Sequence, residues 1–472
     1  MNPATEVQPR QQATLALPAL APASTPVELS EANKRSAGNF EIFWMRIYQL
    51  GLSIVDQGFS VGGMFLANVA LARTQSKEEY GVFALMYSVF TFLSGLHNAA
   101  VLEAYTIYGS GRYYRQFPSY ARFLWLSNAR ICLGLTATVT SFWALLVWLA
   151  PQYASPTLLG LALACGILLT ASFVRRTFYM QQRPELAARF STLFFFLDAG
   201  LLLLLFRTGK LNGFGAFASA AFAWSAAGLI VTRELPGRAK SEDFLEVEPA
   251  YWAEHWKYSR WVLFTALVFQ FLTQGYYWLA AGFLSVKEAG ELRALNNLLM
   301  PLDQVSSAVS LLLLPVLSRR FVSQRLAGLA PLWKRYCLGW LLVTSCFAVA
   351  VLWYGKSVMH VVYAGRFDDV ASLLVALAFL PVILGVGNTM NAALKAMEKP
   401  QAVFCAYVAS GSATLLIGIP LIVHLGIRGA AYGMLASAAV YTATLGIAFL
   451  SYVWIEPKTS PREVRNMEVL LP

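Results

Sequence analysis

Charge is scarce in this 472-residue chain: only 13% of it is Asp, Glu, Lys or Arg, against about 25% in ordinary soluble domains. With 57% hydrophobic residues and a mean hydropathy of +0.55, that scarcity excludes an ordinary soluble enzyme. Cysteine is nearly as rare. Cys132, Cys165, Cys337, Cys346 and Cys405 fall within or at the ends of apolar runs without paired spacing, which excludes a disulfide framework and a zinc site; they read as small buried hydrophobes. The histidines, His97, His255, His360 and His424, are scattered over distant segments and make no metal site. No Walker-type phosphate loop, GxGxxG, CxxC or HExxH motif occurs, so neither catalytic residues nor a cofactor nor ATP-driven machinery is expected.

What the chain has instead is apolar runs of roughly 20 residues, recurring from Gly51 almost to the C-terminus between short basic patches. At about 1.5 Å per residue, such a run crosses the ~30 Å hydrocarbon core as a helix. The runs predict an all-α polytopic membrane protein of twelve helices. The first six cover 46–72, 80–108, 123–149, 157–182, 187–206 and 213–232; the second six cover 258–283, 290–318, 334–354, 370–397, 401–424 and 429–455. An even number puts both termini on one side. Of the 36 Lys and Arg, 26 lie in or beside the terminal segments and even-numbered connections and nine at the odd-numbered ones. By the positive-inside rule both termini are cytoplasmic. The net charge of +11 is then mostly a topology signal and calls for no nucleic-acid partner.

Residues 1–39 hold no aromatic residue and carry Pro3, Pro9, Pro18, Pro22 and Pro26. They read as a disordered cytoplasmic tail and not as a signal peptide. A six-helix lobe is expected over 40–232, a cytoplasmic linker over 233–257, a second six-helix lobe over 258–455 and a tail over 456–472. In the linker, Pro236-Gly237 marks a turn, and Trp252 and Trp256 mark a short helix lying on the membrane surface. The lobes echo each other. Ser76-Lys-Glu-Glu79-Tyr-Gly81 returns as Ser285-Val-Lys-Glu288-Ala-Gly290, Arg183-Pro184 as Lys399-Pro400, and Gly215-Ala216 as Gly429-Ala430. The echoes come in one order and at nearly constant offsets. They predict two parallel repeats around a central cavity, an arrangement known among secondary transporters, whose substrate sits between the repeats.

Ionisable groups inside apolar runs are costly and mark function by default. The acids are Asp56, about 15 Å along the first helix from Arg46, with Glu103, Asp198 and Asp303. A carboxylate in low dielectric takes up protons more readily and suits proton coupling; for each of the four, a structural hydrogen bond or ion pair is the other reading. Asp56 is the first choice for coupling. Its non-titrating counterpart is Gln270, at the same offset that separates Arg46 from Arg260. The cations are Arg46, Arg130, Arg175, Arg176 and Arg260. Arg46 and Arg260 each open a lobe, which topology signalling also explains. Arg175 lies about 13 Å into the fourth helix, and Asn391 holds the matching place before Pro400. A guanidinium there suits bidentate capture of phosphate oxygens. The amides of Asn98, Asn388 and Asn391 suit sugar hydroxyls, or serve as glue between helices. These five arginines and three asparagines are the candidate substrate-binding set.

Over Gln57-Gly58 through Asn68-Val-Ala-Leu-Ala-Arg73, Glu79-Tyr80-Gly81-Val-Phe-Ala84 and Ser94-Gly-Leu-His97-Asn98-Ala-Ala-Val-Leu-Glu103, the chain resembles bacterial polysaccharide translocases. These are the O-antigen and exopolysaccharide flippases of the multidrug/oligosaccharidyl-lipid/polysaccharide exporter superfamily. The resemblance covers roughly residues 45–455. It implies transport of an undecaprenyl-pyrophosphate-linked oligosaccharide from the cytoplasmic to the periplasmic leaflet of the inner membrane, by alternating access around a cationic cavity. The implied partners are that lipid-linked substrate, membrane lipids, and a polysaccharide polymerase or other assembly proteins. Two alternatives stand beside it. A multidrug-type cation/proton antiporter of the same superfamily would share the fold and use Asp56, but Arg130, Arg175 and Arg176 disfavour a cation. A membrane polysaccharide polymerase calls for a large outer loop, and the longest outer connection, Tyr354 to Asp369, is short.

Overall fold

The computed structural model describes the backbone of residues 26–110, 113, 117–181, 183–231, 250–397 and 399–455. It describes their side chains except at 26–47, 50, 110, 250, 303, 304, 307–315, 318, 319, 322, 400 and 453–455. Among these residues there is no strand. The chain divides into two compact units, Met1–Gly51 and Leu52–Pro472. In the first, residues 26–51 are helical.

The first half of the chain folds as α1 (Pro26–Thr74), α2 (Lys77–His97), a π-helical turn (Asn98–Leu102), α3 (Glu103–Ser110), α4 (Phe117–Leu149), α5 (Pro156–Met180), α6 (Pro184–Arg207) and α7 (Gly213–Val231). The second half folds as α8 (Ala250–Phe283), α9 (Val286–Asn297), α10 (Met300–Tyr363), α11 (Leu374–Leu377), α12 (Leu380–Ala396), α13 (Pro400–Ala413), a π-helical turn (Thr414–Gly418), α14 (Ile419–Leu425) and α15 (Ile427–Ile455). Ten helices among the described residues are long and apolar enough to cross a membrane. This is an all-α membrane fold.

Local chemistry sets the helix ends, and it repeats. Ser76 caps α2 with a full capping box to Glu79, and Ser285 caps α9 while its hydroxyl also meets Glu288. Each cap satisfies backbone N–H groups that the first turn leaves free. Pro184 and Pro400 open α6 and α13 behind caps of nearly the same backbone shape, φ −117° at Arg183 and −112° at Lys399. Proline suits that first position because its missing N–H would have had no partner. Gly426, at φ 60°, ends α14 in a conformation that favours glycine.

Four boundaries differ from the sequence expectation. Helix α1 starts at Pro26, not near Arg46, because no proline interrupts the helix formers after Pro26. Trp252 and Trp256 do not form a separate surface helix; they belong to the continuous α8. The expected loop between 318 and 334 is helical, and α10 runs through it with one break at Arg325 (φ 50°, ψ −144°). Its cluster of arginines reads as a loop by charge, yet arginine, leucine and alanine are good helix formers. Finally α10 extends to Tyr363, where Ala364 and Gly365 turn the chain at φ 53° and 79°, so the outer connection is shorter than expected.

Helices α5 and α7 pack together within the first half, with α4 and α6 beside them. Phe194 stacks on Trp224 at 4.0 Å between centroids and Phe190 meets the same ring edge-on at 4.7 Å. Outward faces stay apolar: Leu133 on α4 is 70% exposed and Trp148 is 80% exposed. Such a face is at home only in hydrocarbon, where backbone polar groups must be paired within the helix.

Candidate functional site

Helices α2 and α9 meet at their N-terminal ends. A Cβ on Gly81 would overlap the Val286 carbonyl oxygen, and one on Gly290 would lie 2.8 Å from the Gly81 Cα. Gly81 and Gly290 are the matched glycines of the internal repeat, so its pseudo-twofold axis passes between them. Around this contact a seam joins the two halves. Lys77 Nζ reaches Glu291 Oε1 at 2.9 Å and Asp369 Oδ2 at 2.6 Å. Arg73 donates to the Val361 carbonyl at 2.9 Å, and Arg366 donates to the Arg73 carbonyl at 2.8 Å. One layer deeper, Asn297 Nδ2 donates to Asn68 Oδ1 and to the Tyr80 hydroxyl, each at 3.2 Å. Burial works to raise the Asp369 carboxyl, but Lys77 beside it outweighs burial and holds it below the usual carboxylate range.

The glycine contact gives a direct test. Gly81→Val should keep the seam from closing, because the clash is with backbone and cannot be relieved by rotating a side chain. The readout is Ala294→Cys, at a fully buried place on α9, in a chain otherwise free of cysteine. Its reactivity toward a maleimide should rise severalfold with Gly81→Val, and unchanged protection would place the closure elsewhere.

Helix α8 lies along the first half. His255 Nε2 lies 2.8 Å from the Ala100 carbonyl, the Tyr258 hydroxyl donates to Glu103 Oε1 at 3.0 Å, and Trp278 Nε1 donates to Ser88 Oγ at 2.7 Å. Midway, Gly95 makes room for the Gln270 amide, which a Cβ would overlap. The C-terminal turns of α8 also hold the second half, through Tyr276 and Ser437 at 2.7 Å.

Between α2, α8 and α9 sits Arg293. Its guanidinium carbon lies 4.4 Å from the Tyr87 ring centre and 5.1 Å from that of Tyr277. The residue is 7% exposed, its Nε has no hydrogen-bond partner, and no ion pair reaches it among the described residues. Cation–π contacts of this kind contribute about 0.5–2 kcal/mol, less than the several kcal/mol that dehydrating an ion costs.

The structure brings several of the sequence-selected residues together. Asp56, fully buried on α1, accepts from Arg175 Nε at 2.9 Å and from Arg175 Nη2 at 2.6 Å. The Tyr179 hydroxyl donates to the same carboxylate at 2.8 Å, and Ser191 from α6 completes the set. Arg175 is thus committed to Asp56 in place of standing open to a phosphate, and Asp56 is committed to Arg175. Arg176 donates to Asn98 Oδ1 at 3.2 Å, at the π-helical turn of the second span. Asp198 is fully buried; Ser219 donates to its Oδ1 at 2.8 Å, while its Oδ2 has no partner among the described residues.

Others stand apart. Arg130 is exposed on α4, and Arg260 is exposed on α8 beside the Trp261 ring at 5.8 Å. Asn388 is half-buried on α12, one turn before the buried Asn391. The side chains of Arg46 and Asp303 lie outside the described residues. Sequence reasoning misses Lys77, Glu291, Arg293 and Asp369. Glu291 and Arg293 sit inside the expected span 290–318 but so close to its start that, like Lys77, they read by position as connection charges.

No protein-family profile matches this chain, and no curated protein does. Solved structures do. A multidrug resistance MATE family transporter of the MOP superfamily in an inward-facing conformation superposes with a TM-score of 0.69 at 13% identity, over 86% of this chain and 96% of the other. An outward-facing structure from that family gives 0.58 at 12% identity, over 86% and 95%. A MOP superfamily transporter from Pyrococcus furiosus, described by a reverse polarity of its binding pocket, gives 0.58 at 11% identity over the same shares. A twelve-helix fold in two parallel repeats agrees with these likenesses, and the fold of the chain is that of the MATE transporters of the MOP superfamily.

Proposed function

We propose that this protein is a transporter, not an enzyme, and moves an undecaprenyl-pyrophosphate-linked oligosaccharide across the cytoplasmic membrane for surface polysaccharide assembly. Both termini are cytoplasmic in this reading, so the Gly81–Gly290 seam is the outer gate, closed, and the space between the halves opens inward. The higher TM-score to the inward-facing relative agrees, 0.69 against 0.58. A polysaccharide polymerase would take the glycan on the outer side.

Arg293 carries the reading. A buried guanidinium without an acid among the described residues calls for an anion from elsewhere, and the pyrophosphate of a lipid-linked sugar supplies one. A cationic drug would be repelled at the same place. Charge-assisted bonds to phosphate are roughly twice as strong as neutral ones. Arg293→Gln should therefore slow transport of a lipid-linked oligosaccharide in proteoliposomes about tenfold or more, and reduce surface polysaccharide at unchanged membrane abundance. Full polysaccharide with that variant would refute the anionic reading.

One observation favours the cation/proton antiporter instead: the buried Asp198, with an oxygen left without a partner, is suited to a proton or another cation. If Asp198→Asn abolished efflux of a cationic dye while polysaccharide stayed normal, that reading would replace the first.

A further inference from the structure

The two halves carry matched polar knots whose chemistry differs. By the offset that relates Pro184 to Pro400, Arg175 and Ser191 of the first half correspond to Asn391 and Tyr407 of the second. In the first half every carboxylate oxygen of Asp56 is engaged. In the second, Asn391 Nδ2 donates to the Tyr441 hydroxyl at 2.8 Å and to the Tyr407 hydroxyl at 3.3 Å, while its Oδ1 has no partner among the described residues. An amide has two polar ends, and both tyrosines face one of them. Turned either way, the other end stays unpaired, on a residue only 9% exposed. Leaving a buried polar group unpaired is costly.

The surroundings say what would complete it. The Tyr407 and Tyr441 rings stack at 5.3 Å between centroids, and Phe269 of α8 meets Tyr407 edge-on at 5.4 Å. Tyr441 is buried, but Tyr407 is half-buried and keeps part of its surface open. Asn388, three residues back on the same helical face, is half-buried, and its side chain makes no hydrogen bond among the described residues. No ion pair is present at this knot among the described residues. The half-buried Tyr407 ring and Asn388 amide, beside the enclosed Asn391 oxygen and without charge, fit a neutral ring that is apolar on its faces and hydroxylated at its edge. A sugar is such a ring; a phosphate is not. The knot also lies near the C-terminal end of α12, as Arg175 lies near the end of α5. Under the topology above, both are toward the cytoplasmic side, from which the substrate enters.

We propose that Asn391, Asn388 and Tyr407 form the subsite for a sugar ring of the substrate, with Tyr441 holding the Asn391 amide in place. This rests on the lipid-linked oligosaccharide reading and assigns the glycan and the pyrophosphate to different parts of the molecule. The half-buried Tyr407 ring stacks on the sugar's carbon–hydrogen face, and as that ring shifts a sugar hydroxyl reaches the enclosed Asn391 oxygen and donates to it.

Two probes test it with the full-length protein in lipid nanodiscs: undecaprenyl pyrophosphate, and the same lipid carrying N-acetylglucosamine. Wild type should bind the sugar-bearing probe roughly tenfold more tightly, the worth of one or two well-placed hydrogen bonds. Asn391→Ala and Tyr407→Leu should each erase that preference while leaving affinity for the bare pyrophosphate unchanged, which also shows that they fold. Tyr407→Trp, which keeps the stacking surface, should retain most of it. Equal binding of both probes by wild type, or an undiminished preference in both variants, overturns the subsite and leaves the anionic reading standing. Failure of wild type to bind either probe overturns the substrate reading itself.

Discussion

Reversing the charge of Lys77 should open the seam. In the closed state its ammonium lies 2.9 Å from Glu291 and 2.6 Å from Asp369, and it is the cation that joins α2 to both acids of the second half. Glu291 is almost wholly covered, its side chain 5% exposed, whereas Asp369 is 57% exposed. The Glu291 contact therefore dominates, since water screens the other. Lys77→Glu replaces two attractions with a cluster of three acids. The closed state should lose on the order of 2–3 kcal/mol, about a hundredfold in the ratio of closed to open molecules. Spin labels at Glu78→Cys on α2 and Val358→Cys on α10, in a chain otherwise free of cysteine, would report the separation. A longer distance population should appear with Lys77→Glu and largely recede when Glu291→Lys is added. Distances that stay at the wild-type value would mean that glycine packing alone holds the seam together.

The seam also shows what the sequence makes legible. Its twofold character follows from the echo of Ser76–Gly81 in Ser285–Gly290, because capping serines and close-contact glycines obey local rules that survive divergence of the rest. Proline at the start of α6 and α13 is legible for the same reason. Pairings are not. Asp56 and Arg175 each stand out as charges in apolar runs, yet they lie 119 residues apart, and nothing in either segment names the other as partner. Each therefore looks available for function by itself, one for protons and one for phosphate, until the fold joins them. Arg293 and Lys77 fail in the opposite direction. A basic residue near a span's end is the ordinary mark of topology, so a census by position absorbs it. Only burial separates Arg293 from the half-buried Lys287 at the same connection. The arginine cluster ahead of Lys334 misleads similarly, since charge marks the membrane boundary and not the end of a helix.

Asp56 and Arg175 should prove inseparable in folding. The pair is bidentate, at 2.9 and 2.6 Å, and Tyr179 and Ser191 add to it from α5 and α6. Removing one partner leaves the other charge buried without compensation, at a cost of about 3–5 kcal/mol, whereas replacing both with apolar groups of similar volume is often nearly neutral. Asp56→Leu alone and Arg175→Met alone should lower the thermal midpoint of the purified protein and its abundance in the membrane. The double variant should recover at least half of that loss, since the Tyr179 hydroxyl keeps Ser53 beside it and the Ser191 hydroxyl loses Asp56. Single variants as stable as wild type would show that the pair does not hold α1 against α5. The recovered double variant then separates structure from coupling. A carboxylate that exchanges protons during transport cannot be replaced by leucine, so the double variant would lose its response to an imposed pH gradient. A carboxylate that ties α1 to α5 and α6 can be replaced. The four donors converging on Asp56 favour the second outcome: under the proposed function, transport in proteoliposomes should respond to an imposed gradient to the same degree in the double variant and in wild type.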